Sequence, residues 1–262
     1  MKLSIFQIDA FADQLFAGNP AAVVPLQKWL DDSLMQKIAA ENNLSETAFF
    51  VASGERYYIR WFTPAAEVKL CGHATLASAY VLFNELGYAR EKIVFDCLSG
   101  ELIVSRSESM LTLNFPAYPP QFCEVTTLLT EALGCEPSEC YKTDDLVAVF
   151  ETEKQVRELQ PDFALLKQLN FRGIVVTAPA TDSRDCDFVA RFFAPKMGIS
   201  EDPVTGSAYT KLTPLWADKL DKTHFVARQL SQRGGVLQCE LQGDRVLISG
   251  RAVKYLQGEI QV

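Results

Sequence analysis

Two stretches of this chain decide how it folds: RYYIRWFTPAAEVKLCGHATLA, Arg56–Ala77, and DFVARFFAPKMGISEDPVTGSA, Asp187–Ala208. A shift of 131 residues superimposes them, so that Arg60 aligns with Arg191 and the two Phe-x-Pro sequences coincide. Each stretch has the pattern of a strand, a Phe-x-Pro exit, a loop and a helix that opens at a glycine-containing motif. This pattern indicates an internal duplication, and coincidence among β-rich sequence is the alternative.

Short strands outnumber helices along the rest of the chain, which predicts an α+β fold. Runs of β-branched and aromatic residues bounded by Gly, Pro, Asn and Ser predict the strands. These predicted strands are Leu3–Ile8, Ala21–Val24, Thr47–Val51, Tyr57–Phe62, Ile93–Cys97, Glu101–Ser105, Met110–Phe115, Val147–Phe150, Ile174–Thr177 and Asp187–Phe193, with a closing set from Val226 to Val262. The predicted helices are Asp32–Asn42, His73–Leu86, Asp162–Leu169 and Thr205–Leu220.

A proline-rich segment near the middle of the chain divides the predicted elements into two lobes. Pro116, Pro119 and Pro120 leave no room for a regular element there, so we read the segment as a linker. The predicted lobes are residues 1–117 and 118–262, and the last strand is allowed to pack back on the first lobe. We expect two pseudo-symmetric lobes that face each other across a cleft, a common place for a small-molecule site.

Charge and cysteine usage exclude several classes of protein. The chain has 262 residues, and its 25 Lys and Arg against 33 Asp and Glu give a net charge of −8, which argues against nucleic acid as a partner. No window approaches the roughly 18 apolar residues of a membrane span, and Asp9 interrupts the first apolar run, so the N-terminus reads as a strand and not as a signal peptide. The seven cysteines have no close pairs, which is typical of free thiols in a reducing compartment. We therefore predict a cytoplasmic protein.

The sequence offers no recognised site for a cofactor or metal. It contains no Cys-x-x-Cys, and its two histidines, His73 and His224, do not complete a Cys/His zinc motif. It also lacks G-x-G-x-x-G, the P-loop and G-x-S-x-G. We predict that the protein needs no metal, nucleotide or flavin.

The motif LCGHAT, Leu70–Thr75, stands at the start of a predicted helix. Unpaired backbone N–H groups at a helix start favour an anion, so Gly72 and Ala74 are candidates to bind a substrate carboxylate. His73 adds a titratable ring in the same turn. The alternative is that Gly72 only permits a tight turn and that His73 is a satisfied polar residue.

The motif EDPVTGSA, Glu201–Ala208, holds the equivalent place in the second half of the chain. Asp202 is predicted to cap the helix, and Gly206 and Ser207 present open backbone and a hydroxyl to an anion. Capping alone is the alternative role for Asp202. Two helix starts directed into one cleft would hold an anion from both sides.

Two further residues are candidates for the site. Glu46 lies between Ser45 and an apolar run, where partial desolvation would raise its pKa toward neutrality and suit it to proton transfer in both directions. An exposed glutamate after a helix is the alternative. Asn19 belongs to a predicted tight turn, Gly18–Pro20, and is a candidate contact at the rim of the site.

With these motifs in place, the chain resembles the phenazine-biosynthesis PhzF-like family of isomerases and epimerases. The resemblance rests on DAFADQLFAGNPAAVV, LSETAFF, RWFTPAAEVKLCGHATLA and EDPVTGSA, in that order, and it covers essentially the whole chain. It implies the two-lobed fold of diaminopimelate epimerase, in which each lobe is a curled sheet around a central helix. It also implies a homodimer and a cofactor-independent proton transfer on a small carboxylate-bearing substrate.

The resemblance assigns roles to individual residues. It implies that Glu46 is the general acid and base, while His73, Asp202 and Ser207 bind and polarise the substrate. Tyr209 departs from the family pattern and puts the size and polarity of the pocket in question. Two alternatives stay open. One is a binding or scaffold protein without turnover. The other is a thiol-based racemase using Cys71, which would lack its second thiol because the 131-residue shift aligns Cys71 with Asp202. Neither the substrate nor the direction of the reaction follows from the sequence.

Overall fold

Pro116 begins the second of two units into which the chain folds. The computed structural model describes residues 1–181 and 185–262. Unit 1 contains Met1–Phe115 and Leu247–Val262, and unit 2 contains Pro116–Val246. The C-terminal residues of the chain therefore belong to the unit that its N-terminal residues begin.

Unit 1 is a sheet of strands with two helices. Its elements are β1 (Lys2–Ala10), β2 (Asn19–Leu26), α1 (Asp32–Asn42), β3 (Glu46–Ser53), β4 (Arg56–Phe62), β5 (Glu67–Val68), α2 (Gly72–Tyr80), β6 (Lys92–Cys97), β7 (Gly100–Ser107), β8 (Met110–Pro116) and β17 (Ala252–Gln261). β1 pairs antiparallel with β2 and with β17. β2 pairs parallel with β3, and β3 pairs antiparallel with β4. β4 pairs parallel with β6, β6 pairs antiparallel with β7, and β7 pairs antiparallel with β8.

Unit 2 repeats this order of pairings. Its elements are β9 (Gln121–Cys123), α3 (Thr127–Leu133), β10 (Glu139–Lys142), β11 (Leu146–Val149), α4 (Glu153–Glu158), α5 (Phe163–Leu166), β12 (Ile174–Pro179), β13 (Phe188–Phe193), a 3₁₀ turn (Pro195–Met197), α6 (Gly206–Leu220), β14 (His224–Gln229), β15 (Gly235–Gln242) and β16 (Arg245–Gly250), the last of which runs on past the unit boundary. β11 pairs parallel with β12, β12 antiparallel with β13, β13 parallel with β14, and β14 antiparallel with β15. The predicted α+β class with two pseudo-symmetric lobes is confirmed.

Each unit has one helix that is buried on nearly all sides. In α2 every residue from His73 to Ala79 is buried. In α6 the buried residues include Gly206, the run from Ala208 to Thr213, and Trp216. A helix that is buried all round is enclosed by the rest of its unit, and this is the central helix that the resemblance implied.

Pro214 lies inside α6, and the chain compensates for it locally. Proline has no N–H, so the carbonyl of Thr210, four residues earlier, loses its helical partner. The backbone N–H of Tyr118 donates to that carbonyl at 2.9 Å. Part of the proline-rich segment that we read as a linker is therefore hydrogen-bonded to the central helix of unit 2.

Several elements differ from the sequence-based predictions. The predicted helix His73–Leu86 is α2 followed by a π-helical turn, Val81–Glu85, and α5 is shorter than its predicted helix. Elements that were not predicted include β9, α3, β10 and α4. Among the described residues, no helix combines the length and the apolar character that a membrane span requires.

Candidate functional site

Asn19 and Glu46 begin two neighbouring parallel strands of unit 1. Asn19 is the first residue of β2 and Glu46 the first of β3, and Ala21 lies opposite Glu46 in the register of the pair. Because parallel strands start at the same edge of a sheet, both side chains stand at one edge. Asn42, at the end of α1, donates a hydrogen bond to the Thr47 hydroxyl at 3.0 Å and so ties the helix to the start of β3.

His73 completes a cluster at this edge. It is the second residue of α2 and is buried. Nδ1 of its ring lies 3.3 Å from Nδ2 of Asn19 and 3.5 Å from Sγ of Cys71, while Nε2 lies 3.2 Å from Oε2 of Glu46. The structure therefore brings together Asn19, Glu46 and His73, all predicted as site residues, within unit 1.

The protonation of His73 follows from its surroundings. Burial lowers the pKa of the imidazole from 6.5 to about 3, so the ring is neutral at physiological pH. The Asn19 amide N–H can only donate, so Nδ1 accepts, and the single ring proton is assigned to Nε2, facing Glu46. Although Nε2 lies within 3.2 Å of the carboxylate, the two are not aligned as a hydrogen bond in the structure.

Cys71, His73 and Glu46 also raise the question of a metal ion. One donor atom from each lies within 4.8 Å of the others, which is close enough for three ligands of one ion. However, Nδ1 faces the thiol while Nε2 faces the carboxylate, so an ion bound to one ring nitrogen leaves the other donor on the opposite side of the ring. The arrangement suits a ring held between two acid–base groups better than a three-ligand metal centre.

The motif of unit 2 starts α6 in a different way from that predicted. α6 begins at Gly206, its N-cap is Thr205, and no side chain caps it. Asp202 instead accepts a hydrogen bond from the Thr205 hydroxyl. Gln229, on β14, accepts from the backbone N–H of Thr205 at 2.9 Å and donates to the carbonyl of Asp202 at 2.8 Å. The prediction that Asp202 caps the helix was wrong, because the helix starts too late for its side chain to serve the first turn.

Arg172 joins this motif and was not predicted from the sequence. Its Nη2 donates to the hydroxyl of Ser207 at 3.2 Å, and its Nε donates to Oδ1 of Asp145 at 2.9 Å. Burial tends to lower the pKa of the guanidinium, but Asp145, Asp144 and Asp202 outweigh it and the pKa is raised. Asp202, Ser207 and Arg172 therefore belong to one electrostatic cluster in unit 2.

Two other sequence expectations are changed by the structure. Asn19 is fully buried, so it is not a contact at a rim. Tyr209, which raised a question about the pocket, is fully buried in the core of unit 2, where its ring lies beside that of Phe188. Burial raises the pKa of its hydroxyl well above 10. The backbone of Gly72, Ala74 and Gly206 lies in the first turns of α2 and α6, as predicted.

Comparisons with known proteins point to one family. A family model described as phenazine biosynthesis-like protein, PhzC-PhzF, matches residues 8–258. An uncharacterized isomerase of Pseudomonas aeruginosa is 52% identical over 262 residues, which is 100% of both chains. The crystal structure of a PhzF-family phenazine biosynthesis protein from Enterococcus faecalis superimposes with a TM-score of 0.97 at 45% identity, over 100% of both chains. A hydroxyproline epimerase of Agrobacterium vitis with bound trans-4-hydroxy-L-proline has a TM-score of 0.65 at 11% identity, over 99% of this chain and 92% of that one, and shows a shared fold.

Proposed function

The chain belongs to the phenazine biosynthesis-like family, PhzC-PhzF, and from that premise we propose that it is a cofactor-independent isomerase in which Glu46 moves a proton between carbons of a small carboxylate-bearing substrate. Relatives that share about half of its residues are named isomerases, which supports an isomerase activity for this chain. The assignment of the proton transfer to Glu46 rests on the geometry of unit 1.

The observation that carries the proposal is the position of Glu46 against neutral His73. The carboxylate is only 13% exposed and lies 3.2 Å from the ring nitrogen to which the proton is assigned. A carboxyl group that is shielded from bulk water in this way is placed to accept a proton and later return it. The neutral imidazole beside the carboxylate adds no full positive charge to the site.

The proposed reaction has two steps, in which Glu46 first takes a proton from the substrate and then gives it back. The ionised carboxylate of Glu46 removes a proton from one carbon of the substrate, and the electron pair of the broken C–H bond delocalises toward an adjacent unsaturated or carboxylate group. The protonated Glu46 then returns its proton to another carbon or to the other face of the same carbon. The carboxylate is regenerated, and no redox partner is needed.

The first turn of each central helix supports the binding of an anionic substrate. Backbone N–H groups there have no helical acceptors, and the helix dipole favours negative charge. We assign Gly72 and Ala74 of α2, in the unit that holds Glu46, to binding the substrate carboxylate. Gly206 and Ser207 of α6 are assigned to binding a carboxylate in unit 2. Asp202, whose carboxylate accepts the hydrogen bond of the Thr205 hydroxyl, is assigned to a polar group of a ligand at the start of α6.

Deuterium exchange tests the proposal. The protein is incubated in deuterated water with a panel of small acids that represent amino, hydroxy and unsaturated carboxylates: L-proline, trans-4-hydroxy-L-proline, L-malate and itaconate. Exchange at carbon is followed by NMR. Replacing Glu46 by Gln keeps the shape but removes the titrating group, so the exchange rate should fall by about 10² to 10⁴.

Cys71→Ser is the matched control, because Cys71 also contacts His73. The Cys71 thiol is the rival base, but a variant that keeps Glu46 should retain exchange within about tenfold of the starting rate. Exchange that survives Glu46→Gln and is abolished by Cys71→Ser would contradict the proposal and identify the thiol as the base. Binding of panel acids without any exchange would favour the scaffold alternative.

The cytoplasmic location and the homodimer stay predictions. Light scattering of the purified protein measures its mass in solution. A mass near 58 kDa, twice the 29.2 kDa of one chain, is the expected result.

A further inference from the structure

Unit 2 has its own side-chain cluster beside the start of its central helix. In unit 1 the parallel strands β2 and β3 begin at Asn19 and Glu46, beside His73, the second residue of the central helix. In unit 2 the parallel strands β11 and β12 pair in the same way, and the backbone N–H of Arg172 donates to the carbonyl of Asp144 at 2.9 Å, just before those strands begin. Ser207 is the second residue of that unit's central helix.

The contacts connect the elements of the two units in different orders. In unit 1 the side chain from the start of the first strand contacts His73 on the central helix, and His73 contacts Glu46. In unit 2 Asp145, just before the first strand, binds Arg172, and Arg172 contacts Ser207 on the central helix. Arg172 therefore links the strands of unit 2 to its central helix.

The bond between Arg172 and Ser207 fixes what the serine hydroxyl can do. A guanidinium has only donors, so Oγ of Ser207 is the acceptor. The hydroxyl hydrogen must then point elsewhere, and within residues 1–181 and 185–262 no hydrogen-bond acceptor is found for it. The Ser207 hydroxyl can therefore donate a hydrogen bond to an oxygen atom of a ligand.

Ion pairs with Asp144 and Asp145 fix the position of the Arg172 guanidinium. Asp145 is fully buried and is neutralised by Arg172 and by the buried Lys211. Asp144 lies 2.9 Å from Lys211 and 3.3 Å from Arg172, so two carboxylates face two cations. The Arg172 side chain is nevertheless 37% exposed, which leaves room for a ligand beside it.

We propose that Arg172 is a positioning residue for anion binding in unit 2: its guanidinium holds the Ser207 hydroxyl as a donor to a carboxylate. This inference rests on the proposed function, because it takes Ser207 as a ligand of that carboxylate. Arg172 acts through Ser207, so its effect on carboxylate binding should disappear when the hydroxyl is absent.

Acetate, the smallest stable carboxylate after formate, is the probe, and backbone amide NMR of Gly206 and Ser207 is the readout. The unmodified protein should show a saturable shift of these amides with acetate. Arg172→Lys keeps a positive charge beside Asp145 but cannot fork between Asp145 and Ser207. We expect Arg172→Lys and Ser207→Ala each to raise the dissociation constant for acetate about tenfold, the size of one hydrogen bond.

The double variant separates positioning from a general structural effect. Arg172→Lys added to Ser207→Ala should change the dissociation constant by less than about twofold, because neighbours that act as a unit are not additive. Arg157→Gln is the matched control, since Arg157 also pairs with a fully buried carboxylate, that of Glu153, but makes no contact with Ser207. It should leave the acetate titration unchanged.

Three results would overturn the inference: an absent acetate shift at Ser207 in the unmodified protein, an Arg172→Lys variant that binds acetate as the unmodified protein does, or equal losses from Arg172→Lys with and without the serine hydroxyl. Acetate binding involves no proton transfer to carbon. Failure of the Glu46 proposal would therefore appear in deuterium exchange alone, and failure of the Arg172 inference in acetate binding.

Discussion

Arg60 and Arg191 share two kinds of contact in their own units. Nε of Arg60 lies 2.7 Å from Glu67, and Nε of Arg191 lies 2.7 Å from Glu201, each as one arm of a forked pair. Each guanidinium also lies over the ring of the phenylalanine two residues later, at 5.2 Å and 4.9 Å from its centroid. The duplication that was predicted from the alignment of these two arginines thus extends to their side-chain contacts.

We expect Arg191→Ala to destabilise the protein more than Arg60→Ala. The Arg191 side chain is 11% exposed and also donates to the backbone carbonyls of Val156 and Leu159, whereas that of Arg60 is 22% exposed. Loss of Arg191 leaves buried acceptors without a donor, so the free energy of unfolding should fall by about 3 kcal/mol, against about 1 kcal/mol for Arg60→Ala. Urea denaturation of the two variants measures the difference, and equal losses would show that these carbonyls do not depend on Arg191.

The burial of His73 predicts a pH-dependent stability. The pKa of its ring is about 3 in the folded protein and 6.5 in its ordinary state. Between these values the unfolded chain binds more protons, so the free energy of unfolding falls as the pH decreases from 6.5 toward 3, by at most about 1.4 kcal/mol per pH unit from this residue. Above pH 7 the contribution is constant.

Denaturation as a function of pH compares the unmodified protein with His73→Gln, which has no titrating ring. The difference in unfolding free energy between the two should have a slope below pH 6.5 and none above pH 7. A difference that stays flat from pH 7 to pH 4 would mean that His73 is not held neutral by burial.

Gly18 precedes the site residue Asn19 and has no room for a side chain. Its φ is +68°, and a Cβ at this position would lie 2.2 Å from the carbonyl oxygen of Ala10. Gly54 has a similar φ of +61° but open space around it. We expect Gly54→Ala to cost about 1 kcal/mol from backbone strain alone and Gly18→Ala to cost about 3 kcal/mol or more because the backbone must also move.

The displaced backbone would carry Asn19 away from His73, so Gly18→Ala should also lower the exchange rate. Thermal denaturation and deuterium exchange, measured on both variants, test these two effects. Similar unfolding temperatures for Gly18→Ala and Gly54→Ala would indicate that the turn has more freedom than its contacts imply.

Removal of metal ions should leave the reaction unchanged. The proposed proton transfer uses Glu46 and His73 alone, and the two ring nitrogens of His73 face different groups. Deuterium exchange is measured before and after dialysis against EDTA and 1,10-phenanthroline. Loss of exchange that one metal ion restores would make Cys71, His73 and Glu46 ligands instead.

The sequence predicted the parts of the site that lie in short, ordered motifs. Gly72 and Gly206 are the first residues of α2 and α6, as their glycine-containing motifs indicated. A capping signal was also present in Thr152-x-x-Gln155, which forms a capping box at α4, although the helix was not predicted. Local signals of this kind are readable because the interacting residues are three or four positions apart.

Arg172 could not be predicted in this way. It reaches the motif of unit 2 through its hydrogen bond to Ser207, which lies 35 residues later in the chain. No local pattern in the sequence signals a contact over that separation. The role of Asp202 was misjudged for a related reason, because the number of loop residues before α6 decides whether the side chain can reach the first turn.

The pairing of β1 with β17 has a consequence for how the protein is made. Lys2 on β1 lies opposite Gln261 on β17, so unit 1 can close only after β17 has left the ribosome. Unit 2 is one continuous segment, Pro116–Val246, and all of it is synthesised before β17. The usual order of cotranslational folding, in which the N-terminal part folds first, is thereby reversed. Until β17 is made, the edge of β1 that pairs with β17 has no partner strand. An unpaired strand edge can pair with another chain, so the nascent protein is most prone to aggregate during this time.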